Sequence, residues 1–120
     1  MLKVIVAGGR EFSDYHKLQT KLNLYLRNQK PSDIEIVSGG ASGADELGER
    51  YANDYGYDLK VFPADWFLGK KAGPIRNKQM AEYADALVAF DTGGRGTANM
   101  IGVAHDFGLK VRVVDCKKTN

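Results

Sequence analysis

Phe90-Asp91-Thr92-Gly93-Gly94-Arg95-Gly96-Thr97-Ala98-Asn99-Met100-Ile101 is the stretch on which the fold turns. An apolar run, Ala86 to Phe90, breaks into glycines and restarts as an apolar-periodic segment, with Thr97 where a helix N-cap would stand. That is strand, loop, helix. Closely spaced glycines let backbone N–H groups converge without Cβ obstruction, and the helix behind them adds its positive dipole end. Gly93, Gly94, Gly96 and Thr97 therefore suit an anion such as phosphate, and Arg95 adds a full charge. Any strand-to-helix turn in an α/β protein also uses glycine, so this motif alone leaves both readings open.

The same alternation runs through the chain. Leu2 to Ala7 reads as a buried parallel strand, β-branched and unalternating, ending in Gly8-Gly9-Arg10. Ser13-Asp14 offers an N-cap for a helix in which Tyr15, Leu18, Leu22 and Tyr25 with Leu26 keep the spacing of one apolar face, and Asn28 to Ser32 closes it. Ile34 to Val37 is a second strand, followed by Ser38-Gly39-Gly40-Ala41-Ser42-Gly43-Ala44-Asp45 and a helix that Gly56 stops. Leu59 to Phe62 is a third strand. The longest irregular piece, Pro63 to Gly73, comes next, and Pro74 fits the first turn of the following helix. Ala86 to Phe90 is the fourth strand, Thr97 to Phe107 the fourth helix, and Lys110 to Val114 the fifth strand, with Gly108 at the C′ position between them.

Strands alternating with helices predict an α/β domain with a parallel sheet of about five strands and helices on both faces. Every loop that follows a strand then emerges at one edge, where open α/β sheets bind ligands. Gly8 to Arg10, Ser38 to Asp45, Pro63 to Gly73 and Asp91 to Gly96 are expected to gather there, and this coincidence carries more than any one motif.

Composition narrows the function classes. The 120 residues are expected to form one domain over 1–120, and 43% hydrophobic with 27% charged residues is ordinary for a globular protein. A formal charge of +2 is too small to argue for duplex DNA. One cysteine, Cys116, excludes an internal disulfide and a cysteine zinc site and fits a reducing cytoplasm. No run is long enough to cross a membrane, and no signal-like start is visible, so a cytoplasmic location is expected.

The residues restrict the chemistry as well. Gly8-Gly9-Arg10-Glu11-Phe12 lacks the G-x-G-x-x-G spacing of a dinucleotide cofactor site, and no glycine turn runs into Lys-Ser or Lys-Thr as a P-loop would. No cofactor and no metal site is expected, and neither His16 nor His105 has a triad partner. Arg10, Arg76 and Arg95 are the cations expected at the ligand edge, Arg76 beside Asn77 early in a helix whose free N–H groups favour anions. Trp66 is either a surface on which a nucleobase stacks or an anchor packed on the sheet. Asp45 and Asp65 are the carboxylates placed for ribose hydrogen bonds or acid/base work, Asp45 alternatively compensating a helix dipole.

With these residues in view, the chain resembles the SLOG superfamily, which includes the DNA-processing protein DprA (Smf) and the LONELY GUY phosphoribohydrolases, and more closely its small YspA/cpYpsA-related members. The resemblance rests on Ala7-Gly8-Gly9-Arg10-Glu11-Phe12, Ser38 to Asp45, Phe62-Pro63-Ala64-Asp65-Trp66, Ala72-Gly73-Pro74-Ile75-Arg76-Asn77 with Met80, and Gly93-Gly94-Arg95-Gly96-Thr97. It implies a Rossmann-like three-layer α/β/α fold. It also implies that Arg76 lies at a nucleotide site and that Gly93 to Thr97 is a phosphate turn. The enzymes of the group place a glutamate three residues after that threonine, whereas this chain has Met100, so N-glycosidase activity loses its carboxylate.

The leading expectation is a binding module or sensor for a nucleotide or nucleotide-derived phosphorylated small molecule, with phosphate on the glycine turns, Arg76 and Arg95, and the base near Trp66. A nucleotide N-glycosidase using an aspartate, and a weak DprA-like binder of single-stranded nucleic acid, are the alternatives. The resemblance implies a homodimer or larger assembly, for which Tyr51, Tyr55 and Tyr83 are the aromatic candidates on helices.

Overall fold

The computed structural model describes residues 1–117. Five parallel strands, β1 (Leu2–Gly8), β2 (Ile34–Ser38), β3 (Asp58–Val61), β4 (Ala86–Asp91) and β5 (Lys110–Asp115), lie in the order β3-β2-β1-β4-β5. The connecting helices are α1 (Tyr15–Tyr25), α2 (Ala44–Tyr55), α3 (Ala72–Tyr83) and α4 (Arg95–Asp106).

Side chains of a strand alternate between faces, and here both faces are covered, so the strands read as unbroken apolar runs. Val4, Val6, Ile34, Ile36, Val88 and Phe90 pack with Leu18 and Leu22 of α1 and Tyr51 and Ala52 of α2. Ile5, Ala7, Val37, Leu87 and Ala89 pack on the other face with Met80 and Ala81 of α3 and Met100 and Ala104 of α4. Three layers result. Edge strands β3 and β5 carry Lys60, Lys110 and Arg112, charges that discourage further strand pairing.

The chain winds outward from β1 to β3, then crosses back to start β4 on the other side of β1. The switch point therefore lies between β1 and β4, which pair from Val4↔Ala86 to Gly8↔Phe90. Beyond the paired residues Gly9 N–H still donates to the Phe90 carbonyl (3.1 Å), and the two loops continue at the switch point.

Three local expectations are corrected. Thr97 is not an N-cap: α4 begins at Arg95 with Gly94 as the cap, and Thr97 is buried inside the first turn. The stretch Pro63 to Gly73 is not wholly irregular, because Trp66–Lys71 forms kinked 3₁₀ turns, capped by the Asp65 carboxylate accepting from Phe67 N–H, and α3 has begun by Ala72. Tyr51 cannot reach an interface. It is fully buried, with its ring 4.5 Å from Tyr55 and 5.5 Å from Tyr57. No helix among the described residues is long and apolar enough to cross a membrane.

Candidate functional site

A cavity of about 640 Å³ opens at the switch point. The first glycine turn, the start of α2, the start of α3 and the loop leading into α4 all reach it, as the shared sheet edge requires. Gly8, Gly9, Arg10, Ala41, Asp45, Arg76, Asn77, Gly94, Arg95, Gly96 and Thr97 line it together. Lys70, Thr92 and Asn99 were not legible as site residues in the sequence. Four cations, Arg10, Lys70, Arg76 and Arg95, face two carboxylates, Glu11 and Asp45, so the wall carries an excess of positive charge.

The three glycine turns differ in what their backbone is free to do. Around Gly39 to Asp45 the amides are already bound: Gly40 N–H donates to Ser38 Oγ (3.1 Å), and Ala41 N–H donates to Asp45 Oδ2 (3.3 Å). Ser38 Oγ in turn donates to Glu49 Oε2 (2.6 Å). Asp45 thus fills its own turn as an internal anion. The first turn is closed by packing, because a Cβ on Gly9 would stand 1.9 Å from Thr92 Oγ1 and one on Gly43 would stand 2.2 Å from the Gly9 carbonyl. Around Gly94 to Thr97 the situation is reversed. Among the described residues no side chain caps α4, and a Cβ added at Gly94 or Gly96 would meet no atom of theirs within 4 Å. The amides of that first helical turn have no intrahelical partner, and the dipole's positive end lies with them.

Arg76 and Asn77 tie the two sides of the cavity. Arg76 Nη1 donates to the Gly39 carbonyl, Arg76 Nε to Asn77 Oδ1 (3.0 Å), and Asn77 Nδ2 to Asn99 Oδ1 (2.9 Å) on α4. Burial lowers the Arg76 guanidinium from its ordinary value, Arg10 adds to the lowering, and Asp45 opposes it. Burial pushes the Asp45 carboxyl up to about 6, against the pull of the Ala41 N–H and the Arg76 charge. Met80 and Met100, each 1% exposed, form an apolar floor. At the position of Met100 no group can move a proton.

The remaining expected residues lie outside this cavity. Ser38 is buried behind it, Gly93 lines an adjoining pocket on the far side of Thr92, and Asp65 is exposed and serves as a cap. Gly39, Gly40 and Trp66 line a separate cavity of about 560 Å³ whose wall also includes Arg10, Ala41 and Arg76. Trp66 is not packed on the sheet; it is 60% exposed, with the Arg10 guanidinium 5.8 Å from its ring centroid.

Comparison with known proteins places this architecture. Residues 2–69 match the family model described as the YspA, cpYpsA-related SLOG family. The chain is 33% identical over 119 residues to the gene 61 protein of Mycobacterium phage D29, covering 92% of this chain and 94% of that one. Among solved structures it is similar to DNA processing protein A (DprA) from Streptococcus pneumoniae, with a TM-score of 0.77 at 19% identity over 96% of this chain and 50% of that one. It is also similar to TM1055, a structural-genomics target, with a TM-score of 0.68 at 22% identity over 92% of this chain and 72% of that one. At these identities the two structures share the fold.

Proposed function

Because the chain belongs to the YspA, cpYpsA-related SLOG family, we propose that it binds a nucleotide or nucleotide-derived phosphorylated small molecule in the switch-point cavity. The observation that carries this reading is the uncapped start of α4, where Gly94 and Gly96 leave room and Arg95 stands exposed among the cations of the wall. A phosphate there accepts from the free amides of the first turn and from a guanidinium fork. Arg10 reaches the same space from the first turn. The Gly39 to Ala41 amides contribute nothing to that phosphate, since Asp45 and Ser38 already hold them.

The reading is of a binder or sensor. The apolar floor under Met100 offers neither a base for water nor a carboxylate to stabilise an oxocarbenium-like state, so the N-glycosidase alternative must call on Asp45 or Glu11 of the wall. Asp45 is 5% exposed and turned toward the amide of Ala41. The exposed Trp66 and Phe67 beside Lys70 and Lys71 favour the single-stranded nucleic-acid alternative, since aromatic rings next to cations take stacked bases.

A thermal-shift screen against AMP, ADP, ADP-ribose and a short single-stranded oligonucleotide tests the reading. A ligand at a hundred times its dissociation constant stabilises the folded chain by about 2.7 kcal/mol. Arg95→Ala is the informative variant, because Arg95 is exposed whereas Arg76 is bonded into the core. It is expected to keep the melting point of the free protein and to weaken phosphate-bearing ligands by about tenfold. A nucleotide shift unchanged in Arg95→Ala removes the phosphate from α4. Pairing of two copies, implied by the family resemblance, is a further proposal, checked by the mass of the eluting species as concentration rises.

A further inference from the structure

The main cavity does not stand alone. Arg10, Ala41 and Arg76 are wall residues of both the 640 Å³ cavity and the 560 Å³ cavity beside it, so the two meet along a seam marked by two guanidinium groups. Each is of a size that holds a small ligand by itself. The lining of the second cavity differs in kind. Trp66, Pro63, Ala64 and Val61 give it flat and aliphatic surface, Gly39 to Ser42 also line it, and among the described residues its only charged lining residues are the two arginines at the seam.

Away from the two arginines at the seam, the glycine turn of that second cavity is not arranged for a phosphate. Gly40 N–H is spent on Ser38, the Gly39 carbonyl on Arg76 and Ala41 N–H on Asp45, so the turn presents a neutral wall. Trp66 keeps 60% of its surface exposed while Arg10 lies over its ring at 5.8 Å. An exposed indole held by a cation takes a flat aromatic ring such as a nucleobase. The charge at the seam takes an anion. Ring, anion and a second site with its own phosphate-suited turn follow one another across the surface.

We infer that the two cavities bind one two-lobed ligand, a dinucleotide. Its first nucleotide occupies the main cavity with its phosphate at α4, its bridging phosphate lies at the Arg10–Arg76 seam, and its second base stacks on Trp66. This rests on the nucleotide reading of the main cavity and adds the class of ligand. Bridging through a single phosphodiester or through a pyrophosphate presents the same chemistry to the seam.

Calorimetric titration distinguishes the cases. The probes are the four 5′-nucleoside monophosphates, the four 5′-phosphorylated homodinucleotides, diadenosine diphosphate and a single-stranded decanucleotide of each base. At least one dinucleotide is expected to bind about tenfold or more tighter than its mononucleotide, a gain of the size that one stacked base supplies. Trp66→Ala removes that gain and leaves the mononucleotide affinity unchanged, while Trp66→Phe retains part of it. The variant folds if its melting point is kept, as the exposure of Trp66 requires. Equal affinity for dinucleotides and mononucleotides, or a gain that survives Trp66→Ala, overturns the two-lobed ligand and leaves the main cavity standing. A decanucleotide that outbinds every dinucleotide beyond its number of sites overturns it in favour of a strand. A wild-type protein that binds no probe overturns the nucleotide reading together with it.

Discussion

The turn after β1 and the turn before α4 lie on opposite sides of the switch point, and both are rich in glycine for different reasons. At Gly9 glycine is required because protein approaches protein: Thr92 occupies the space a Cβ would take, and Gly43, from the turn after β2, leaves the same room for the Gly9 and Arg10 carbonyls. At Gly94 and Gly96 the space is empty. A glycine motif therefore marks close approach without saying to what, and only the identity of the nearest atom separates a packing glycine from one that leaves room for a ligand. The turn of Gly39 to Asp45 is a third case, a cradle of amides that closes on the protein's own carboxylate.

The contrast is open to test. Gly43→Ala is expected to have the largest effect. Its φ of 77° lies in the left-handed region, and the new methyl would sit 2.2 Å from the Gly9 carbonyl. A loss of about 3 kcal/mol or more is expected in urea unfolding, and a loss under about 1 kcal/mol would show that the turns after β1 and β2 are not locked together. Asp45 gives a pH-dependent effect of similar size. Its carboxyl holds a proton more tightly in the folded chain than in the unfolded one, with the value raised from 3.8 to about 6. The contribution of Asp45 to stability is therefore fully present below about pH 4 and falls by up to about 3 kcal/mol as the pH rises to about 6. Unfolding curves of Asp45→Asn across that range are expected to lose this slope; an unchanged slope would assign it to other groups.

Gly96→Ala sharpens the comparison from the open side. Alanine inside α4 is expected to raise stability by up to about 1 kcal/mol while lowering nucleotide affinity on the order of tenfold, since the methyl enters the cavity. Loss of stability there would make the two turns alike. Thr92→Val is expected to show the smallest effect. Thr92 Oγ1 is the buried side-chain oxygen that lacks a hydrogen-bond partner among the described residues, so its replacement by a methyl changes stability by less than about 1 kcal/mol, and in the favourable direction. A clear loss in thermal unfolding would mean that the hydroxyl is held by a bound water.

The layered fold was legible because a parallel strand buried on both faces leaves an unmistakable apolar run, as in Leu2 to Ala7 and Ala86 to Phe90, and because Gly56 and Gly108 punctuate helices in the ordinary way. Thr97 misled because its residue type favours caps, while the backbone at Gly94, with φ −77° and ψ 157°, takes the cap three residues earlier. The 3₁₀ turns of Trp66–Lys71 are too short for any period to show. The convergence of the loops followed from topology alone. How each turn uses its amides did not, because the partners Ser38, Glu49 and Asp45 are chosen by tertiary packing and not by spacing. The division of the site into two cavities sharing Arg10 and Arg76 was hidden for the same reason.

The central place of β1 also orders events during synthesis. Its contacts with β2 join residues about thirty apart, whereas Lys3 N–H bonds Asp85 across a separation of 82 residues. As the chain leaves the ribosome, β1 to β3 and their two helices can assemble early, while the fourth strand, arriving last but one, must find an edge already flanked on its other side. Closing that long loop is the slow step that topology imposes, and the ligand cavity comes into existence only when it closes. Nascent chains halted before Ala86 would thus be half-built sheets with a bare edge and no switch-point cavity.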